Sequence, residues 1–203
     1  MYCILVTGIP AAGKSTMAQF LSEQLQIPMI SKDKIKEQLF DDVGFQSRNE
    51  KVKLGIASMN ILYYMAEQLM KCKQPFILEN NFENSSQEGL DAILERYSYK
   101  AITVTLTGDY EKIYERFVER NSSVDRHRGH VVNDCYPERV AGRKIEPIPY
   151  ESYVGGIKSR GMDSFVSNGP HIVVDTTDFQ KVDKESLLEE IVKCREHILL
   201  SSM

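Results

Sequence analysis

No apolar run in the chain approaches the ~18 residues that a membrane-spanning helix needs, so the sequence reads as that of a soluble protein. Cysteine is sparse. Cys3, Cys72, Cys135 and Cys194 are widely scattered with no CxxC pair, which argues against a zinc site or a disulfide framework and fits a reducing cytoplasm. A strong charge of one sign is also missing. The net charge of −4 argues against non-specific nucleic-acid binding, which needs a basic surface to release counterions, and leaves only a local basic patch open. Internal repeats and low-complexity tracts are absent. The chain runs at once into a β-rich segment, so a cleavable signal peptide is not expected. What remains is 203 residues with a 42% hydrophobic fraction, enough for one domain with a sizeable core and, at most, a small mobile insert.

Against these absences stands one dense motif, Gly8-Ile9-Pro10-Ala11-Ala12-Gly13-Lys14-Ser15-Thr16. It fits G-x-x-x-x-G-K-[ST]. Glycines let the backbone turn its N–H groups inward, and those groups with the positive end of the next helix cradle nucleotide phosphates. Lys14 is expected to reach the β- and γ-phosphates and the Ser15 hydroxyl to ligate Mg²⁺. The context agrees: Tyr2 to Thr7 is a β-rich apolar run, and Ala18, Leu21 and Leu25 follow at helical spacing. Strand, loop and helix stand in the required order.

Downstream, 27–30 predicts a second strand, Ser31 a helix cap, and 32–40 a helix, with a loop over 41–47. Val52, Ile56, Met59, Leu62, Ala66 and Leu69 keep a 3.6-residue beat over 49–72. Residues 75–78 predict a third strand ending in the polar Glu79-Asn80-Asn81, 86–97 a helix, and 101–107 a β-branched strand of the kind buried in parallel sheets. A helix begins at Asp109, 121–150 is polar and irregular, 151–168 receives no element, 171–174 is the last strand, and a helix closes the chain. This alternation predicts an α/β three-layer sandwich, a five-stranded mostly parallel sheet with helices on both faces. Ligands gather at the carboxyl ends of such strands, near Asp33, Glu79 to Asn81, Thr107 and Asp175 to Thr177.

With the loop, Ser31-Lys-Asp33, Phe76 to Phe82, Arg116-x-x-x-Arg120, Arg126 to His130 and Val174 to Thr177 in this order, the chain resembles the P-loop small-molecule kinases. That group includes zeta-toxin-like, chloramphenicol-phosphotransferase-like, gluconate and shikimate kinases. The resemblance spans nearly the whole chain and implies a single kinase domain over 1–203, with 121–150 as a mobile lid. It implies ATP and Mg²⁺ as cofactors. It places Asp33 opposite the γ-phosphate as the group that orients the acceptor hydroxyl and takes its proton; the plain alternative is an acid favouring a helix N-terminus. Glu79 stands where many P-loop proteins carry an aspartate, so metal support, substrate contact and a solvated strand end stay open; Asn80 joins it as a substrate candidate.

Arg116 and Arg120 share one helix face and resemble the pair at the lid entrance of nucleoside monophosphate kinases, where one stacks on adenine and one meets phosphate. A solvated ion pair of Arg120 with Glu115 or Glu119 is the competing reading. Arg126 and Arg128 fit a lid that neutralises charge at the γ-phosphate. His127 and His130 lack a third metal ligand and read as loop residues or substrate contacts. The connection at Thr177 approaches the adenine in the resembling kinases. Arg48 is the cation of the 41–48 region able to grip an anionic substrate, or a surface arginine. The expected activity is γ-phosphate transfer from ATP to a hydroxyl of a small molecule, with no membrane or nucleic-acid partner and an oligomeric state that the sequence leaves open. A nucleotide or polynucleotide-end kinase, and an ATP-dependent switch, are the rival readings; the missing N/T-K-x-D motif speaks against a GTPase switch.

Overall fold

The structure, a computed structural model, describes residues 1–140 and 142–201. Strand β1 (Tyr2–Gly8) is buried along its whole length, as an apolar run covered on both faces must be. It pairs in parallel with β3 (Ile77–Glu79) on one side and β4 (Lys100–Thr107) on the other. The edges are β2 (Met29–Ser31) and β5 (His171–Asp175), giving a five-stranded parallel sheet in the order β2-β3-β1-β4-β5. Strand order reverses at β1, which opens a crevice at its carboxyl end. The phosphate loop occupies that crevice.

Between the strands run α1 (Lys14–Leu25), α2 (Lys32–Val43), α3 (Arg48–Lys71), α4 (Gln87–Arg96), α5 (Tyr110–Ser122), α6 (Arg128–Val131) and α7 (Tyr150–Arg160), and α8 (Lys184–Leu200) closes the chain. Alternate side chains of β1 divide the core. Ile4 and Val6 pack with Met17 and Leu21 of α1, Ile113 of α5, Ile157 of α7 and Ile191 of α8. Cys3 and Leu5 pack with Leu62, Ala66 and Met70 of α3 and with Leu90 and Leu94 of α4. Period-2 alternation in one strand thus meets helices on both sides.

Two outcomes differ from the sequence expectation. The second and third strands start later and end one residue later than the apolar runs suggest. Parallel pairing begins only where Ile77 meets Ile4, with the Pro28 carbonyl accepting from Ile77 N–H at 2.9 Å. The shift makes Ser31 and Glu79 direct cross-strand partners. The other difference is α7, in a stretch to which no element was assigned. Gly155 and Gly156 blur its periodicity, yet Tyr153 and Ile157 are buried against α5 and the sheet.

The first part of the 121–150 segment is docked on α2 and α3. Phe45 and Tyr136 form an antiparallel bridge, and Phe40, Phe45 and Val132 make a small core of their own with Leu54, Tyr136 and Ile145. Gly129 is required there, since a Cβ would lie 2.3 Å from the Phe40 ring. Lys51 locks the contact. Its buried ammonium donates to the carbonyls of His130 and Val132 at 2.9 and 2.5 Å and to Asn133 Oδ1 at 3.1 Å. Among the described residues, no helix is long and apolar enough to cross a membrane.

Replacing Lys51 by methionine keeps most of the apolar stem and removes the donor from all three oxygens. Lys51→Met is expected to lower the unfolding free energy by about 1–3 kcal/mol, measured by chemical denaturation. Amide exchange across 128–136 should speed up in the variant; unchanged protection there would show that Lys51 does not hold the segment.

Candidate active site

The loop after β1 bends through residues that few side chains tolerate. Gly8 has φ 122° and lies so close to β4 that a Cβ would sit 2.0 Å from the Leu106 carbonyl oxygen. Gly13 has φ 90°, and a Cβ there would meet the Phe179 ring at 2.3 Å. Both positions exclude larger residues. Ile9 and Ala12 are buried under the loop, and the Pro10 carbonyl accepts from the Tyr153 hydroxyl at 2.7 Å. Helix α7 therefore braces the loop from outside, a contribution that periodicity did not reveal.

The loop forms the floor of a cleft of about 680 Å³ at the carboxyl ends of β1, β2 and β3. Pro10, Ala11, Gly13, Lys14, Ser15 and Thr16 line it from one side and Ser31, Asp33 and Lys36 from another; Asn80, Arg116, Arg120 and Arg126 complete the wall. Lys14 is buried, and its Nζ donates to the Ile9 carbonyl at 2.8 Å. Burial pulls it down to about 8 against the opposing pull of Glu79. Such an ammonium gains when an anion arrives.

Glu79 is 4% exposed, so it is not a solvated strand end. Its Oε1 accepts from the Ser15 hydroxyl at 3.2 Å and its Oε2 from the Ser31 hydroxyl at 2.5 Å. Burial raises its carboxyl above the usual range, with Lys14 and the two serines opposing that shift. A buried carboxylate beside a hydroxyl is a hard-oxygen donor set suited to Mg²⁺. The sequence predicts a helix cap at Ser31. Its register opposite Glu79 gives it a second task.

Asp33 stands in the first turn of α2, half-exposed to the cleft, with Arg126 Nη2 4.0 Å from its Oδ2. Burial pushes its carboxyl up, but His130, Arg126, Lys36 and Lys32 outweigh this and hold it below the usual carboxylate range. His130 is itself pulled down to about 4 by burial, so near neutral pH the arginine and lysines carry the effect.

The arginines separate into two groups. Arg116 donates to the Thr176 carbonyl at 2.6 Å and so ties α5 to the turn after β5. Arg120 lies 6.0 Å over the Phe117 ring, and burial followed by repulsion from Arg126 pulls it down to about 10. The Nε atoms of Arg116, Arg120 and Arg126 are buried and unpartnered among the described residues. Neither Glu115 nor Glu119 pairs with Arg120; Glu115 lies 3.8 Å from Lys112 instead. Buried guanidinium donors left open at one cleft fit an oxyanion.

Arg128 is not brought to this cleft. It makes a two-point pair with Glu138 at 2.6 and 2.7 Å and donates to the Arg143 carbonyl at 2.8 Å, which stiffens the segment internally. His127 bonds Asp41 at 3.0 Å and caps α6, while His130 bonds Glu37 at 3.1 Å on the cleft wall. Thr177 stays outside the cleft lining. Its Oγ1 accepts from Asp109 N–H at 2.8 Å, which fixes the turn next to Arg116's anchor. Arg48 donates to Asn133 Oδ1 at 2.9 Å and lines an adjoining cavity. Asn80 lines both spaces, held by its own N–H to the Val6 carbonyl at 3.2 Å.

Comparison with known proteins agrees with this geometry. The family model described as an AAA domain matches residues 3–134. A candidate kinase from Chloroflexus aurantiacus J-10-fl superposes with a TM-score of 0.77 at 25% identity, covering 95% of this chain and 97% of its own. A gluconokinase from Sinorhizobium meliloti 1021 reaches 0.58 at 15% identity over 99% of this chain and 97% of its own. A shikimate kinase from Bacteroides thetaiotaomicron reaches 0.54 at 14% identity over 97% of this chain and 98% of its own. The last two bear on the fold alone. With its loop, sheet order and cleft in this frame, the chain belongs to the AAA domain family and carries the P-loop fold of the small-molecule kinases.

Proposed function

We propose that the protein transfers the γ-phosphate of ATP to a hydroxyl of a small molecule, with Mg²⁺ as cofactor. The observation that carries this reading is the shared cleft of Lys14, Asp33, Arg120 and Arg126, with Arg126 Nη2 4.0 Å from Asp33 Oδ2. A nucleotide switch that hydrolyses ATP would use such a carboxylate on water, and its turnover would not respond to an added acceptor.

Each residue then has one task. The loop N–H groups of Gly8 to Thr16 and the positive end of α1 hold the phosphates. Lys14 leaves the Ile9 carbonyl for the phosphate oxygens. Ser15 and Glu79 would hold the metal, which would draw charge from the phosphates. Asp33 receives the acceptor's hydroxyl proton as the new O–P bond forms; the bond from Pγ to the bridging oxygen breaks, and its electron pair stays on ADP. Arg120 and Arg126 supply fixed positive charge where the moving phosphoryl group lies, without reorganisation at that moment. Arg116 holds the turn at Thr176 and Thr177 beside the nucleotide base. The 121–150 segment carries Arg126 and acts as the lid. Because it is docked on α2 and α3, closure moves those elements with it and shuts water out of the cleft.

The test is transfer of labelled γ-phosphate from ATP across sugars, sugar acids, nucleosides and antibiotics. Asp33→Asn should lower kcat by ~10²–10⁴ while ATP still binds. Transfer at the parent rate in that variant would remove Asp33 from its role. Arg126→Met should lower kcat by ~10²–10³ with a smaller change in the KM for ATP. Glu79→Gln keeps the size of the side chain and lowers its charge; it should raise the Mg²⁺ concentration needed for half-maximal rate, and an unchanged Mg²⁺ dependence would place the metal elsewhere.

A further inference from the structure

A second cavity of about 480 Å³ opens off the cleft between α2 and α3, with Lys32, Lys36 and Asn80 lining both spaces. Two of its walls differ in character, and Glu83, Ser86 and Arg160 line a further side. One is cationic: Lys32 and Lys36, one helical turn apart on α2, face Arg48 in the first turn of α3. The other is apolar, made by Val52, Ile56 and Met59 of α3, where Val52 and Ile56 are exposed.

Apart from Arg160, which pairs with Glu83 at 3.1 Å, the cations lining this cavity lack a direct ion-pair partner among the described residues. Among the described residues no carboxylate lies within ion-pair distance of Lys36; its nearest described partner is the Phe40 ring, at 5.4 Å. The bond of Arg48 goes to the neutral Asn133. Beneath them, all three bonds of Lys51 go to neutral oxygens. The nearby acids have partners of their own: Glu37 has Lys34 and His130, Glu83 pairs with Arg160 on the cavity lining itself, and Asp33 faces Arg126 while also drawing on Lys36. Mutual repulsion registers in the lysines. Burial and then the charge of Lys32 pull Lys36 down to about 8 against the opposing pull of Asp33, and burial, Lys36 and Arg48 pull Lys51 down to about 7. Held at rest, such a cluster costs stability, and an anion seated among the cations removes that cost.

We propose that this side cavity is the acceptor pocket and that the acceptor is an organic anion, a hydroxyl compound whose phosphate-ester or carboxylate group is held by Lys36 and Arg48. Its hydroxyl then points back to Asp33, which stands one turn before Lys36 on the same face of α2. Its carbon skeleton lies along Val52, Ile56 and Met59. The hydroxyl's role rests on the kinase reading; the anion site stands on the cation cluster by itself.

The experiment measures binding, so it does not depend on turnover. Protein saturated with Mg²⁺ and a non-hydrolysable ATP analogue is titrated calorimetrically with three related probes: glucose (neutral), gluconate (a carboxylate) and glucose 6-phosphate (a phosphate ester). At least one anion should bind where glucose does not, and which one binds identifies the head group. Lys36→Met and Arg48→Met should each weaken that binding by about tenfold or more, the worth of a hydrogen bond to a charged group. Lys71→Met, at the far end of α3, should bind like the parent. Retained affinity for the ATP analogue shows that each variant is folded. Binding of glucose as tight as that of the anions, binding of neither anion, or anion binding unchanged in both cleft variants would overturn the proposal. Anion binding without phosphoryl transfer would refute the kinase reading and leave the pocket standing; phosphorylation of neutral acceptors without anion binding would do the reverse.

Discussion

A single buried carboxylate joins the parts of this molecule that must act together. Glu79 ends β3, takes the Ser15 hydroxyl at the head of α1 and takes the Ser31 hydroxyl at the head of α2. The phosphate loop and the helix carrying Asp33 are thereby referenced to one point. Burying a carboxylate with only two hydroxyl donors is costly, and its raised carboxyl reflects that. The arrangement makes sense as one half of a cation site, where a bound metal would offset the burial. Strand register creates it: because Ser31 pairs across from Glu79, the short bond between them follows from the sheet.

Around that point the cleft is organised by sign of charge. Lys14, Arg120 and Arg126 converge on one cleft, and burial followed by repulsion from Arg126 pulls Arg120 below the ordinary arginine range. Asp33 sits among the cations and stays ionised. The same positive field extends along α2 into the side cavity at Lys36 and Arg48. An overall acidic chain thus keeps its positive charge where phosphate and an anionic acceptor would meet. Long-range steering of anions follows from such focusing.

Much of this was legible in the sequence because it depends on local chemistry. The loop declares itself through spacing between a strand and a helix, and Asp33 through its place just after a strand. The five parallel strands follow from apolar runs alternating with amphipathic segments. What escaped depends on tertiary neighbours. Ser31 looked like an ordinary cap until register set it against Glu79. Lys36 and Lys51 carry no local signal, since nothing in the neighbouring sequence reveals that one faces a cavity and the other is capped by three oxygens of a distant segment. Tyr153 was hidden because two adjacent glycines break the periodicity of α7. Arg128, two residues from Arg126, reads in the sequence as a second cleft arginine. The backbone turn into α6 sends it to Glu138 instead, a direction that spacing alone does not encode.

The central claim is that the cleft moves a phosphoryl group to an organic hydroxyl rather than to water. Phosphorus NMR of ATP and Mg²⁺ incubated with the protein and a mixture of small anionic hydroxyl compounds tests it most directly. Loss of the γ-phosphate signal together with growth of ADP and a new phosphomonoester signal, with little inorganic phosphate, is the expected result. Release of inorganic phosphate alone, at the same rate with and without the mixture, would contradict it.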